Sequence, residues 1–196
     1  MDKYCIESRG ILNDRELLYQ CQTESMILPF EVEKISHVNE KKIISKGMSS
    51  YGYDVTLDNK FMYQDGPHVI VDPKSNQNIW KKIVVEEPYI IIQPGEVLLG
   101  VSKEKFRIPS NVLGLCFTKS TYARVGIQCL ATPLEPGWEG FLTLEFVNNS
   151  KFPVKIYHSE GCCQIIFIAG EPPMLDYVAY GGKYQNQPSE PIASKV

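Results

Sequence analysis

The chain of 196 residues is 43% hydrophobic and 22% charged, with a net charge of −3. That length suits one domain burying roughly 70% of its unfolded surface. No basic run marks a footprint for a nucleic-acid polymer, and no window approaches the roughly 18 apolar residues of a membrane span. A small anionic ligand stays open, because a local pocket of Lys and Arg does not show in a total.

In chain order, the start from Met1 to Cys5 and onward shows no apolar signal segment. Asn13, with Glu16 three residues on and Leu17 and Leu18 behind it, has the form of a capping box and predicts one early helix, within an N-terminal segment of residues 1–24. Strand signals then take over. They cover Tyr53 to Leu57, Val69 to Val71, Ile83 to Val85, Tyr89 to Ile92, Val97 to Val101, Val112 to Phe117, Phe141 to Phe146, Val154 to Tyr157 and Gln164 to Ile168. Pro-Gly turns separate several of them, as at Gln93-Pro94-Gly95-Glu96 and Glu135-Pro136-Gly137-Trp138. Many short strands at this spacing predict an all-β barrel or sandwich. With no internal repeat or low-complexity linker, a single domain over residues 1–180 is expected. Residues 181–196, with glycines, Pro188, Pro191 and no core periodicity, read as a tail that is mobile when nothing is bound. Cysteines at 5, 21, 116, 129, 162 and 163 lack the density of a disulfide scaffold, which fits a reduced, cytoplasmic protein.

Four stretches bear on chemistry. In Gly140 to Asn149, alternation puts Leu142, Leu144 and Phe146 on one strand face and Phe141, Thr143, Glu145 and Val147 on the other. A carboxylate among apolar neighbours means either that this face meets water, since Glu is seldom buried unpaired, or that it is there for chemistry. His158-Ser159-Glu160 with Cys162 and Cys163 imitates half of a zinc-deaminase signature, but no C-x-x-C completes the ligand set, so no zinc site is expected. His37 and His68 have no partner spacing. Phe117 to Ile127 gathers Lys119, Ser120, Thr121, Arg124 and Gly126 directly after an apolar strand. It reads either as an oxyanion cradle or as a solvated helix start, and it is not a P-loop. Thr132 to Gly140 is a turn fixed by two prolines and two glycines, with Trp138 large enough to anchor it.

Together, Lys119-Ser120-Thr121-x-Ala123-Arg124-x-Gly126, Thr132-Pro133-x-Glu135-Pro136-Gly137-Trp138-x-Gly140 and Thr143-Leu144-Glu145-x-x-Asn148 resemble the dCTP deaminase branch of the dUTPase-like superfamily. The resemblance extends upstream to Ser49-Ser50-Tyr51-Gly52-Tyr53-Asp54-Val55 and Gln93-Pro94-Gly95-Glu96. Downstream it takes in Glu160-Gly161-x-x-Gln164-x-x-Phe167 and Gly181-Gly182-Lys183-Tyr184-Gln185-x-Gln187. It covers about residue 25 to the tail, in the family's order.

The resemblance implies a distorted jelly-roll or β-barrel, a homotrimer with active sites between subunits, and a C-terminal segment that closes over bound nucleotide. The implied reaction is dCTP and water to dUTP and ammonia, feeding the dUMP and dTTP pathway. Glu145 matches the family's proton-shuttling glutamate. Arg124 matches the arginine beside it, whose charge favours the ionised carboxylate. Ser120 matches the hydroxyl that helps hold the attacking water, with main-chain carbonyls near Ala131 to Pro133 as its partners. Lys119, Thr121, Gln164, Tyr177, Lys183 and Gln187 match positions around the nucleotide and its phosphates, with Tyr180 as the alternative to Tyr177. Tyr122, Ala123, Thr132, Pro133, Thr143 and Leu144 complete the matched substrate positions. Mg²⁺ is expected on the triphosphate, with no metal ligand from protein side chains, and dTTP is a possible feedback inhibitor.

One branch of the family has two more residues between the Thr132 position and the Pro-Gly-Trp turn, including an arginine absent here, while another has this shorter form. Two other readings remain: a bifunctional enzyme giving dUMP and pyrophosphate, with Glu135 where such relatives carry an aspartate, and a nucleotide-binding regulator without turnover.

Overall fold

The computed structural model of the chain describes residues 9–66, 70–74 and 79–195. In order, these residues form β1 (Gly10–Ile11), α1 (Asp14–Glu24), β2 (Ile27–Leu28), β3 (Ile35–Val38), β4 (Lys41–Met48), β5 (Tyr53–Gln64), β6 (Trp80–Val84) and β7 (Tyr89–Ile92). They continue with β8 (Val97–Arg107), β9 (Val112–Thr118), α2 (Ser120–Ala123), β10 (Ile127–Leu130), β11 (Glu139–Asn148), β12 (Val154–Tyr157) and β13 (Gly161–Ala169). Helix α1 starts where the capping pattern places it. The Asn13 side chain accepts from the Arg15 and Glu16 main-chain N–H groups, and Glu16 accepts from the Asn13 N–H in return.

One curled sheet holds eleven strands in the order β1-β13-β5-β8-β11-β10, with β9 on β13, β4 and β6 on β5, β2 on β8 and β3 on β4. Strands β12 and β7 pair separately. The curl comes from β5, which changes partners along its length. Its first residues pair with Gly161 to Ile165 of β13, and Leu57 to Gln64 pair with β8 and β6 across a register irregularity between Leu57 and Phe61. The core fills the curl with Tyr53, Phe61, Phe106, Phe146, Phe167 and Leu144, all essentially sealed from solvent. In the same core, at the seam of β5 and β8, lies the Glu104 carboxylate. It accepts from the Thr56 N–H (3.0 Å) and the Tyr53 hydroxyl (3.4 Å), and burial pushes its pKa up to about 7.

Several expectations change. Val69 lies outside the described residues, and Ile70 and Val71, two apolar residues directly before Asp72, belong to no strand. Conversely, β3 and β4 form a ribbon that strand patterning did not find. Asn39 and Glu40 turn it with positive φ values of 47° and 65°, the geometry of a two-residue hairpin loop. On the face where Ile44 and Met48 pack against the core, Lys42 and Lys46 interrupt them, so no period-two apolar signal results. Cys5 and His68 fall outside the described residues. Among the described residues no helix is long and apolar enough to cross a membrane.

Residues 181–195 contain no helix or strand, yet they lie back along β11. The Asn186 N–H donates to the Glu139 carbonyl (2.8 Å), the Phe141 N–H to the Gln187 carbonyl (3.0 Å), and Gln187 is 6% exposed.

Candidate active site

Strand β11 alternates as its sequence dictates, with Leu142, Leu144 and Phe146 buried in the core and Glu145 on the opposite face. Glu145 stands opposite Leu99 of β8 and Leu130 of β10. Those two side chains, with Val97 and Val147, form apolar walls around it in a pocket of about 350 Å³. The carboxylate keeps an open edge at the mouth. Partial burial nevertheless raises its pKa above the ordinary carboxylate value. Glu145 therefore holds a proton more readily than a surface glutamate.

Two segments complete the pocket. One is the turn before β11, where Gly137 adopts φ +81° after Pro136 and the Trp138 N–H donates to the Glu135 carbonyl (3.0 Å), the type II pattern. Trp138, Thr132 and Pro133 reach the pocket, and Glu135 does not. The other is the tail. The Trp138 indole N–H donates to the Tyr184 carbonyl (2.9 Å), and the Tyr184 N–H donates to the Tyr177 hydroxyl (2.9 Å). The Gln187 amide donates to the Thr143 hydroxyl. Gly140 permits this approach, since a Cβ there would stand 2.7 Å from the Gln187 nitrogen. Tyr177 lines the pocket, whereas Tyr180 is 73% exposed.

A second polar cluster forms where β9 runs into α2. Lys119 caps α2, and its ammonium pairs with Asp54 of β5 at 2.5 Å, the two side chains being 11% and 2% exposed. Lys34 approaches the same carboxylate at 3.8 Å. Gln164 of β13 stands opposite both Asp54 and Phe117, and its amide donates to the Ser49 hydroxyl (2.9 Å). Ser120, Thr121, Ala123 and Arg124 face solvent. Tyr122 does not: its ring is buried, and its hydroxyl accepts from the Tyr157 N–H (2.9 Å). The side chains of Tyr122 and Leu144 belong to the core, so only their main chains are available to a ligand. Lys183 is exposed, and its ammonium donates to the Lys195 carbonyl (3.4 Å).

The matched residues thus fall into two groups within one protomer. Thr132, Pro133, Thr143, Glu145, Tyr177 and Gln187 share the pocket. Lys119, Ser120, Arg124 and Gln164 are elsewhere. Within the single chain Arg124 does not lie beside Glu145: among the described residues no ion pair joins them, and burial alone shifts Glu145. The reason is the strand register. Helix α2 precedes Ile127, which pairs with Asn148, while Glu145 pairs with Leu130, roughly 10 Å further along β10.

Asp54 is the residue of this area whose role the sequence reading missed, although a lone carboxylate between Tyr53 and Val55 in an apolar strand is the signal that singled out Glu145. The zinc-like stretch is dispersed. The His158 ring bonds to the Glu87 carbonyl (2.6 Å), Glu160 accepts from the Ile44 N–H (2.7 Å), and Cys162 and Cys163 are sealed in the core. Among the described residues no group of three or more His, Cys, Asp or Glu side chains is arranged to hold a metal ion.

A family model described as dCTP deaminase-like matches residues 11–170. A protein of Protochlamydia amoebophila named dCTP deaminase is 43% identical over 181 residues, covering 91% of this chain and 95% of the relative. One of Ehrlichia canis with the same name is 46% identical over 180 residues, covering 91% and 94%. Among solved structures, the 2'-deoxycytidine 5'-triphosphate deaminase from Agrobacterium tumefaciens superposes with a TM-score of 0.59 at 16% identity, over 84% of this chain. The chain spans about half of that longer one, 49% of its length, and at this identity the likeness speaks for the fold alone. With the family's pattern running through β1 to β13 and relatives this similar over nearly their whole length, the chain belongs to the dCTP deaminase-like family.

Proposed function

We propose that the chain hydrolyses dCTP to dUTP and ammonia, with Glu145 moving the protons. The observation that carries this reading is a lone carboxylate of raised pKa in the lining of an apolar-walled pocket, at the position where the family's pattern calls for it. Replacing the C4 amino group of cytosine by oxygen requires a water to lose one proton to N3 as it attacks C4, and then the new C4 hydroxyl to lose its proton to the departing nitrogen as the C4–N bond breaks. One carboxylate can take and return these protons in turn, and a pKa shifted toward neutrality suits it to both directions. Ser120 is assigned to the attacking water and Arg124 to the ionised state of Glu145. Lys119, Thr121, Gln164, Tyr177, Lys183 and Gln187 are assigned to the sugar and phosphates.

Because Ser120 and Arg124 are remote from Glu145 in their own protomer, this reading requires a second copy of the chain, and a homotrimer with sites between subunits supplies it. The tail is assigned to opening for substrate and closing over it. Mg²⁺ arrives with the triphosphate as part of the substrate. A triphosphate of thymidine offers the same sugar and phosphate contacts without the amino group, which makes dTTP a competitive inhibitor. The reading places the protein in a reducing cytoplasm, where the five described cysteines stay free thiols.

The test is incubation of pure protein with dCTP and Mg²⁺ and separation of the products. Equal dUTP and ammonia are expected; dUMP with pyrophosphate would show the bifunctional enzyme, and unchanged dCTP a binding regulator.

A further inference from the structure

The distal tail is held by a site on the far side of the pocket. Lys60 of β5 donates through its ammonium to the Ser189 carbonyl (2.8 Å) and hydroxyl (3.0 Å), and lies 3.3 Å from Asp58. On the neighbouring strand, β6, Lys82 pairs with Glu190 at 2.8 Å. Between these contacts Pro191 is buried in a groove formed with Phe61, Ile83 and Val84. The next residue returns to β11: the Ile192 N–H donates to the Thr143 hydroxyl (3.2 Å), the same oxygen that receives the Gln187 amide. Thr143 is two residues before Glu145 on the same strand face. Ile192 and Ser194 then form part of the Glu145 pocket wall.

We propose that Lys60 and Lys82 are positioning residues for dCTP turnover, pinning Ser189-Glu190-Pro191 to the β5–β6 hairpin so that Ile192 and Ser194 wall the pocket beside Glu145. The proposal rests on the reading of that pocket as the dCTP site. Its physical basis is that the segment from Pro188 to Ser194 pairs with no strand, so local attachments alone oppose the fraying expected of a terminus. A proline suits the buried position, because it has no N–H to satisfy there. The Lys82–Glu190 pair is 61% and 45% exposed and is weak alone. Lys60, with several acceptors, carries more of the hold. An open tail lowers the fraction of protein competent to bind, and apparent affinity falls by that fraction.

The experiment compares the full-length protein with Lys60→Met, Lys82→Met and the double variant, which keep apolar stems and remove the charges. Hydrogen exchange is read without substrate, and KM and kcat for dCTP are read separately. In the double variant the Ile192 amide is expected to exchange roughly tenfold faster, while the Leu142 amide of β11 is unchanged. KM rises roughly tenfold and kcat stays within about twofold, because saturating substrate closes the tail again. Lys60→Arg, which keeps the donors, restores most of the KM. Unchanged Ile192 exchange, or faster exchange with unchanged KM, overturns the proposal. Wild-type protein inert toward dCTP overturns the deaminase reading instead, and the exchange comparison separates the two failures.

Discussion

The Glu145 pocket and the turn from Lys119 to Arg124 use charge in contrary ways. Around Glu145, apolar side chains of three strands flank one carboxylate, no cation among the described residues compensates it, and residues of the chain's own tail complete the wall. At the turn, the buried charge of Lys119 is met by Asp54, and the groups beside it, Ser120, Thr121 and Arg124, are turned outward. The first region keeps a charge uncompensated at a small cost in stability. The second secures the start of a short helix with an ion pair and presents its remaining polar groups to whatever approaches. Each supplies what the other lacks, and the proposed trimer brings them together across a subunit boundary.

Removing the uncompensated charge gives the largest expected effect. Glu145→Gln keeps shape and hydrogen bonding but cannot shuttle protons, and kcat is expected to fall at least about 100-fold. Binding changes little, and it can be followed by the fluorescence of Trp80 and Trp138, the only two tryptophans of the chain, both in the pocket wall. Stability holds or rises, because an unpaired charge leaves an apolar setting. If Glu145 moves the protons as proposed, wild-type turnover needs the ionised carboxylate at the moment of attack, and kcat is expected to fall as pH drops through the raised pKa. The acid limb then lies above that of an ordinary glutamate. An Arg124 brought close by assembly moves the limb back down, and the measured pH profile reports how far.

The split itself can be tested by mixing. Glu145→Gln and Arg124→Ala protomers are each expected to be nearly inactive. Trimers assembled from equal amounts of both regain roughly a quarter of wild-type activity, because that share of boundaries pairs an intact Glu145 with an intact Arg124. No recovery would mean that both residues act within one chain, and the contrast between the two regions would lose its meaning.

The Lys119–Asp54 ion pair also gives the second region a part in folding. Asp54→Asn leaves the Lys119 ammonium nearly buried without its counter-charge and is expected to cost about 3 kcal/mol in denaturant unfolding. Adding Lys119→Met removes the orphaned charge and returns most of that stability. A double variant as unstable as the single one would show that Asp54 matters for its other neighbours, Ser45 and Lys34.

How legible these regions are in sequence follows from what holds them. Alternating Leu142, Leu144 and Phe146 announce β11, and the Asn13 to Glu16 spacing announces α1, because both record burial or capping in residue type. The site residues are visible as ordered motifs, but their division between two places in the protomer is not, since the offset of Ile127 and Leu130 along β11 is a matter of strand register. The β3–β4 ribbon escapes because Lys42 and Lys46 interrupt the face on which Ile44 and Met48 pack. The tail escapes for a related reason: main-chain bonds to Glu139 and Phe141 and a bond from the Trp138 indole hold it, and apolar periodicity does not report them. What looks like a free end is therefore docked.

Gly140→Ala probes that docking with the smallest effect of the set. The added methyl would sit 2.7 Å from the Gln187 nitrogen and 3.0 Å from its Cβ, so main chain and not a flexible side-chain end must move. Two tail bonds are made next to this point, from Asn186 to Glu139 and from Phe141 to Gln187, and both lengthen if the tail withdraws. The core beneath, Leu142 to Phe146, keeps its packing, so the loss in global stability should stay below about 1 kcal/mol, in contrast to Asp54→Asn. KM for dCTP is expected to rise roughly tenfold, the cost of populating the closed tail. The Trp138 indole would lose its bond to Tyr184 and meet water, shifting its emission to longer wavelength before any substrate is added. If Gly140→Ala instead unfolds the protein as readily as Asp54→Asn, the tail is part of the fold's foundation. The pocket would then be as rigid as the turn, with no movable wall.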